Sequence, residues 1–192
     1  MDTEFEAKFY PVNKDEIREA LKSIGAKLVK PERKMRRVIS DSRAYPQLKC
    51  DYLRIRDEGE GMVSLSAKVH AREEGTVADQ KEVDVKVSDF DKMLEILELM
   101  NLKPTKYQET LREEWEYQGA EIVIDTWPGL EPYIEIEAHS EDEVKEVAEK
   151  LGFDWEKKII TSNVEIFCKV YNLNEDEVLK RMDYITFEKI PF

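Results

Sequence analysis

Apolar and polar residues alternate with period two through residues 3–9, 35–40, 51–57, 62–70, 81–87, 105–117, 120–126 and 132–138. Eight such stretches predict eight half-buried β-strands. Glycine-rich or Pro-Gly breaks separate several of them: Asp57–Gly61, the segment around Gly75, Gly119, and Pro128-Gly129. These are turn signals.

Between the strands the period lengthens to that of helices, and each helical stretch opens with a small polar residue three positions before an acid. Asn13 with Glu16 predicts a helix over 14–24, stopped by Gly25. Ser88 with Asp91 predicts 89–100, with Phe90, Met93, Leu94, Leu97 and Met100 as its buried stripe. Ser140 with Glu143 predicts 141–151, closed by Gly152. Ser162 with Glu165 and Asn174 with Glu177 predict two short helices near 163–171 and 175–182. The pattern is that of an α+β domain over 1–155, with residues 156–192 as a C-terminal helical extension of the same domain.

The polar parity of the strands carries charge of both signs. In 3–9, Phe5, Ala7 and Phe9 oppose Glu4, Glu6 and Lys8; in 51–57, Leu53 and Ile55 oppose Tyr52, Arg54 and Arg56. In 62–70, Val63, Leu65, Ala67 and Val69 oppose Ser64, Ser66, Lys68 and His70, and in 81–87 three valines oppose Glu82, Asp84 and Lys86. Tyr107, Leu111 and Trp115 oppose Lys106, Gln108, Thr110 and Arg112, while Asp125, Glu135 and Glu137 stand opposite isoleucines. Two arrangements produce this pattern. A half-solvated sheet would turn every charge to water. A sheet curled on itself, with helices outside, would turn the charges inward, where they must balance and stay hydrated because an unpaired buried charge costs several kcal/mol. The turn at 57–61 would put Arg56 and Lys68 side by side on one wall.

A formal net charge of -13 over 192 residues repels polyanions, so neither nucleic acid nor an anionic membrane is expected as a partner. No run approaches the ~18 apolar residues of a membrane helix, and the opening MDTEFEAKFY lacks the basic and apolar regions of a secretion signal. Cys50 and Cys168 fit no metal spacing and are expected as free thiols in a cytoplasmic protein. There is no glycine-rich phosphate loop and no serine paired with a His–Asp couple, which excludes P-loop nucleotidases and serine hydrolases. His70 and His139 are expected as surface or hydrogen-bonded residues rather than ligands. Trp127 and Tyr133 are expected to pack at a rim, with stacking on an organic group as the alternative.

The ordered set Glu4-x-Glu6-x-Lys8, Tyr52-Leu53-Arg54-Ile55-Arg56, Ser66-Ala67-Lys68, Glu82-x-Asp84, Asp125-Thr126-Trp127-Pro128 and Glu135-Ile136-Glu137 resembles the CYTH, or triphosphate tunnel metalloenzyme, superfamily. The resemblance covers about residues 1–155. It implies an eight-stranded antiparallel β-barrel, a tunnel, with helices packed outside and a triphosphate-bearing small molecule within. It further implies Lys8, Arg54, Arg56, Lys68 and Arg112 as contacts to phosphate, and Glu4, Glu6, Asp125, Glu135 and Glu137 as ligands of Mg²⁺ or Mn²⁺. Glu4, Glu6, Lys8 and Asp125 would be the catalytic residues. Arginine forks suit phosphate, and carboxylates suit hard divalent cations. Two positions depart from the family pattern: Asp84 stands where a glutamate is common, and Thr110 where a lysine is, which leaves Lys106 displaced. The implied activity is a metal-dependent triphosphatase acting on inorganic tripolyphosphate or an organic triphosphate such as thiamine triphosphate. The alternatives are a class IV adenylate cyclase and a non-catalytic polyphosphate-binding module. A second copy of the chain, as a homodimer, stays open.

Overall fold

The computed structural model describes residues 5–59, 61–70, 80–160 and 162–192, and only the backbone of His70 and of residues 80–82. Within them the predicted strands are present as β1 (Phe5–Phe9), β3 (Tyr52–Asp57), β4 (Val63–His70), β5 (Gln80–Val87), β6 (Lys106–Tyr117), β7 (Ala120–Thr126) and β8 (Tyr133–Ala138). The stretch predicted over 35–40 is the end of a far longer strand, β2 (Lys27–Asp41). Its first half, KLVKPERK, hides no continuous face: Leu28 and Val29 are exposed, so no alternation is written there. The turn around Gly75 lies outside the described residues.

Hydrogen bonds order the antiparallel strands β1-β8-β7-β6-β2-β3-β4-β5, and a two-residue strand β9 (Tyr184–Ile185) pairs with β6 in parallel. The expected barrel closure is not made by hydrogen bonds. Among the described residues no ladder joins β1 to β5, which are the ends of the order. The outer edge of β1 instead meets Ile159, whose backbone exchanges two 2.9 Å hydrogen bonds with Lys8. Ile159 belongs to the segment expected as a C-terminal extension.

The chain forms two compact units. The first comprises Met1–Arg33, Thr110–Leu179 and Phe192. It contains helices α1 (Lys14–Ile24), α3 (Glu141–Lys150) and α4 (Asn163–Tyr171). Asn13 caps α1 by accepting from the Asp15 and Glu16 amides, and Gly25 ends it at φ 86, a left-handed conformation that favours glycine. Ile17 and Leu21 of α1 and Val144, Val147 and Ala148 of α3 bury against Ala7, Phe9, Ile122, Ile124, Ile134 and Ile136. Charge also enters this packing. Glu113 shares the parity of Trp115, is 4% exposed, and receives two guanidinium nitrogens of Arg18 and the Trp115 indole N–H at 2.7–3.2 Å.

The second unit comprises Lys34–Glu109 and Lys180–Pro191. Its helix α2 (Phe90–Leu99) starts one residue later than predicted, because Asp89 rather than Ser88 caps it by accepting from the Lys92 amide. Phe90 and Leu97 bury against Val38, Ile55 and Val63, with Met93 and Leu94 partly buried beside them. Met100, assigned to the same stripe, is 61% exposed, since the helix has ended by then. The last helix, α5 (Glu175–Arg181), keeps the predicted box: Asn174 and Glu177 exchange backbone and side-chain hydrogen bonds. The box predicted for α4 is not formed, since Ser162 makes no side-chain cap.

Candidate active site

In the first unit, strand register lines up the charged residues. Across β1 and β8, Glu6 stands opposite Glu137 and Lys8 opposite Glu135; across β7 and β8, Asp125 stands opposite Tyr133. Across β6 and β7, Arg112 stands opposite Asp125. Lys8 is 5% exposed, with its Nζ 2.6 Å from Glu6 and 3.2 Å from Glu135. Burial pulls the Lys8 ammonium down, but the carboxylates of Glu135 and Glu6 outweigh it and hold it above the ordinary lysine range. Lys8 is therefore charged at neutral pH. Glu135 bears the opposite strain: burial pushes its carboxyl up and Glu6 adds to this, against the pull of Lys8 and Arg112.

Carboxylate oxygens of Glu6, Glu135 and Glu137 all lie within 4.8 Å of one another. Three hard oxygen donors at that spacing could hold a divalent cation. Asp125 is not of that group. Both its oxygens are engaged by Arg112, at 2.8 Å from Nε and 2.7 Å from Nη2. Burial alone would pull the guanidinium down, but Asp125 holds it far above its ordinary range. Glu4 lies outside the described residues.

In the second unit, Arg54 stands opposite Ser66, and Ser66 opposite Asp84. Arg54 Nη2 donates to the Ser66 hydroxyl at 3.3 Å, and that hydroxyl donates to Asp84. Ser66 is fully buried. It links the arginine and the carboxylate in a role that sequence reasoning did not give it, although the alternation puts Ser66 on the parity of Lys68. The shorter reach of Asp84 is met by this serine. Arg56 and Lys68 are not side by side. Register puts Arg56 opposite Ser64 and Lys68 opposite Tyr52, which separates them by four residues, about 13 Å along the strand. The turn at 57–61 fixes this register, which the alternation alone does not. Lys106 is taken by Asp183 at 2.7 Å.

Trp127 and Tyr133 offer no face for stacking, since they are 4% and 3% exposed. They bond to each other instead, with the Trp127 indole N–H donating to the Tyr133 hydroxyl at 3.1 Å. Cys50 and Cys168 are free thiols, and His139 is exposed. Among the described residues, no helix is long and apolar enough to cross a membrane.

The CYTH domain family matches residues 2–165. The chain belongs to the CYTH family. Members of this family include triphosphatases and adenylate cyclases, they depend on a metal, and they bind triphosphate substrates. No curated protein matches the chain. Solved structures share the CYTH fold. A protein from Pyrococcus horikoshii is 26% identical with a TM-score of 0.58, over 87% of this chain and 99% of that one. A provisionally assigned adenylate cyclase from Vibrio parahaemolyticus is 15% identical with a TM-score of 0.69, over 86% and 98%. A Hippeastrum protein assigned provisionally as an adenylyl cyclase, and described with a dominant triphosphatase activity, is 12% identical with a TM-score of 0.57, over 91% and 97%.

Proposed function

We propose that this CYTH protein is a divalent-metal-dependent hydrolase of triphosphate compounds, inorganic or organic. The observation that carries the reading is the group Glu6, Glu135 and Glu137 set directly against the charged, buried Lys8. A site that only bound anions would gain nothing from three converging carboxylates. Such a group repels phosphate unless a cation is held there.

Glu6, Glu135 and Glu137 would hold the Mg²⁺ or Mn²⁺, and Glu4 is the further ligand that the family pattern adds. The bound cation would neutralise phosphate oxygens and favour attack at phosphorus. Lys8 offers an ammonium kept charged by its two carboxylates. Arg112 offers a guanidinium oriented by Asp125 for phosphate oxygens; Arg54, Arg56 and Lys68 are the further phosphate contacts that the family pattern adds. Hydrolysis breaks the bond between the terminal phosphorus and its bridging oxygen. Water adds to that phosphorus, its proton passes to a carboxylate of the acidic group, and the diphosphate departs.

One panel tests the reading: tripolyphosphate, thiamine triphosphate and ATP, each with Mg²⁺ or Mn²⁺. Phosphate release that stops on chelation is the expected result. Cyclic AMP with pyrophosphate from ATP would make the protein a class IV adenylate cyclase. Binding without turnover would make it a polyphosphate-binding module.

A further inference from the structure

Arg112, Asp125 and Tyr133 form one row of direct neighbours across β6, β7 and β8, and the row does not end there. The Tyr133 hydroxyl donates to Asp125 Oδ2 at 3.3 Å and accepts from the Trp127 indole at 3.1 Å. An indole N–H can only donate. The tyrosine oxygen must therefore take that proton and direct its own towards the carboxylate. Asp125 in turn can only accept from Arg112. The direction of every hydrogen bond is set from the tryptophan end.

Behind Trp127 stands α4. Phe167, fully buried, meets the indole edge-on, with ring centroids 6.2 Å apart at 86°. Phe167 is itself stacked on Tyr171 and Phe192. The region matched by the family ends at residue 165, just short of this aromatic group.

We propose that Tyr133 and Trp127 are positioning residues for Arg112, backed by Phe167, so that α4 is a working part of the phosphate site rather than an appendage. The inference rests on the triphosphatase reading of Arg112. Its physical content is preorganisation. An arginine whose partner carboxylate is pinned from behind loses less freedom when it closes on phosphate than one whose carboxylate can turn.

The test is a double-mutant cycle with tripolyphosphate and Mg²⁺, read as kcat/KM and as binding by calorimetry, with melting temperature followed in parallel. Tyr133→Phe removes one oxygen and keeps the ring. It should lower kcat/KM and affinity on the order of ten-fold. In an Arg112→Ala background the same change should add nothing, because the residue it positions is gone. A merely structural tyrosine would lower the melting temperature and weaken both backgrounds equally, which overturns the proposal. Should Tyr133→Phe fold poorly, Trp127→Phe runs the same cycle by removing only the indole N–H. If Arg112→Ala itself leaves binding and turnover unchanged, the reading of the site fails and the proposal with it. If Arg112→Ala is damaging and Tyr133→Phe is additive to it, the proposal alone fails.

Discussion

The two units carry the same period-two alternation and put it to different uses. In the first, both faces of β1, β7 and β8 are occupied. Isoleucines pack under α1 and α3, and the opposite parity pairs Lys8 with Glu6 and Glu135, and Arg112 with Asp125. In the second, α2 covers Ile55 and Val63, while Val83 and Val85 of β5 are 67% and 51% exposed. Its polar parity is weighted to the positive side through Arg54, Arg56 and Lys68. An alternating strand therefore reveals its parity but not what covers each face. That depends on how many helices the unit brings to it.

The largest expected effect breaks the acidic group. Glu6→Gln with Glu137→Gln should reduce metal-dependent turnover more than about a hundred-fold, since the cation's charge stabilisation is worth several kcal/mol. The fold should be kept, because side-chain size is preserved and Lys8 retains Glu135 at 3.2 Å. Next is the core of the first unit. Ile136→Ala should cost about 2–5 kcal/mol in denaturant unfolding, the usual range for a fully buried isoleucine. Arg56→Ala, in the second unit, should raise KM and lower kcat, with kcat/KM falling roughly ten- to a hundred-fold for one charge-assisted contact worth ~1.5–3 kcal/mol. Kinetics within about twofold of the unaltered protein would make Arg56 an ordinary surface residue.

A smaller effect sharpens the electrostatic side of the comparison. Burial pushes the Glu113 carboxyl up, but hydrogen bonds from Arg18 and Trp115 outweigh it and hold it below its ordinary value. A folded-state value below the unfolded one stabilises the protein above the carboxylate range, and this contribution is lost as pH falls through the folded value. Glu113→Gln should cost about 1–3 kcal/mol at pH 7, and the gap to the unaltered protein should narrow on acidification below pH ~4. A gap that stays constant from pH 7 to 3 would remove the ionised Arg18 contact as its source. The smallest effect is Val85→Ala, expected within ~0.5 kcal/mol because its side chain is already half exposed.

Most of the strands and the parity of their charged residues were legible because alternation fixes parity residue by residue. Lys8, Glu6, Glu135 and Glu137 fall on one side by counting alone. What counting could not give is register. It separates Arg56 from Lys68 and lines up Arg112, Asp125 and Tyr133. The first half of β2 was invisible because Leu28 and Val29 are exposed and Pro31 interrupts the pattern. The link from Ile159 to Lys8 is made by backbone, which leaves no mark on side-chain periodicity. Ser66 and Tyr133 were visible as residues but not as hydrogen-bonding bridges, since their role depends on which atoms they meet.

The central claim is that the acidic group of the first unit takes a divalent cation. Equilibrium binding of Mn²⁺, with and without tripolyphosphate, tests it most directly on the unaltered protein and on the Glu6→Gln, Glu137→Gln variant. Saturable binding by the unaltered protein that is lost in a folded variant is the predicted result; equal Mn²⁺ binding by both would contradict it.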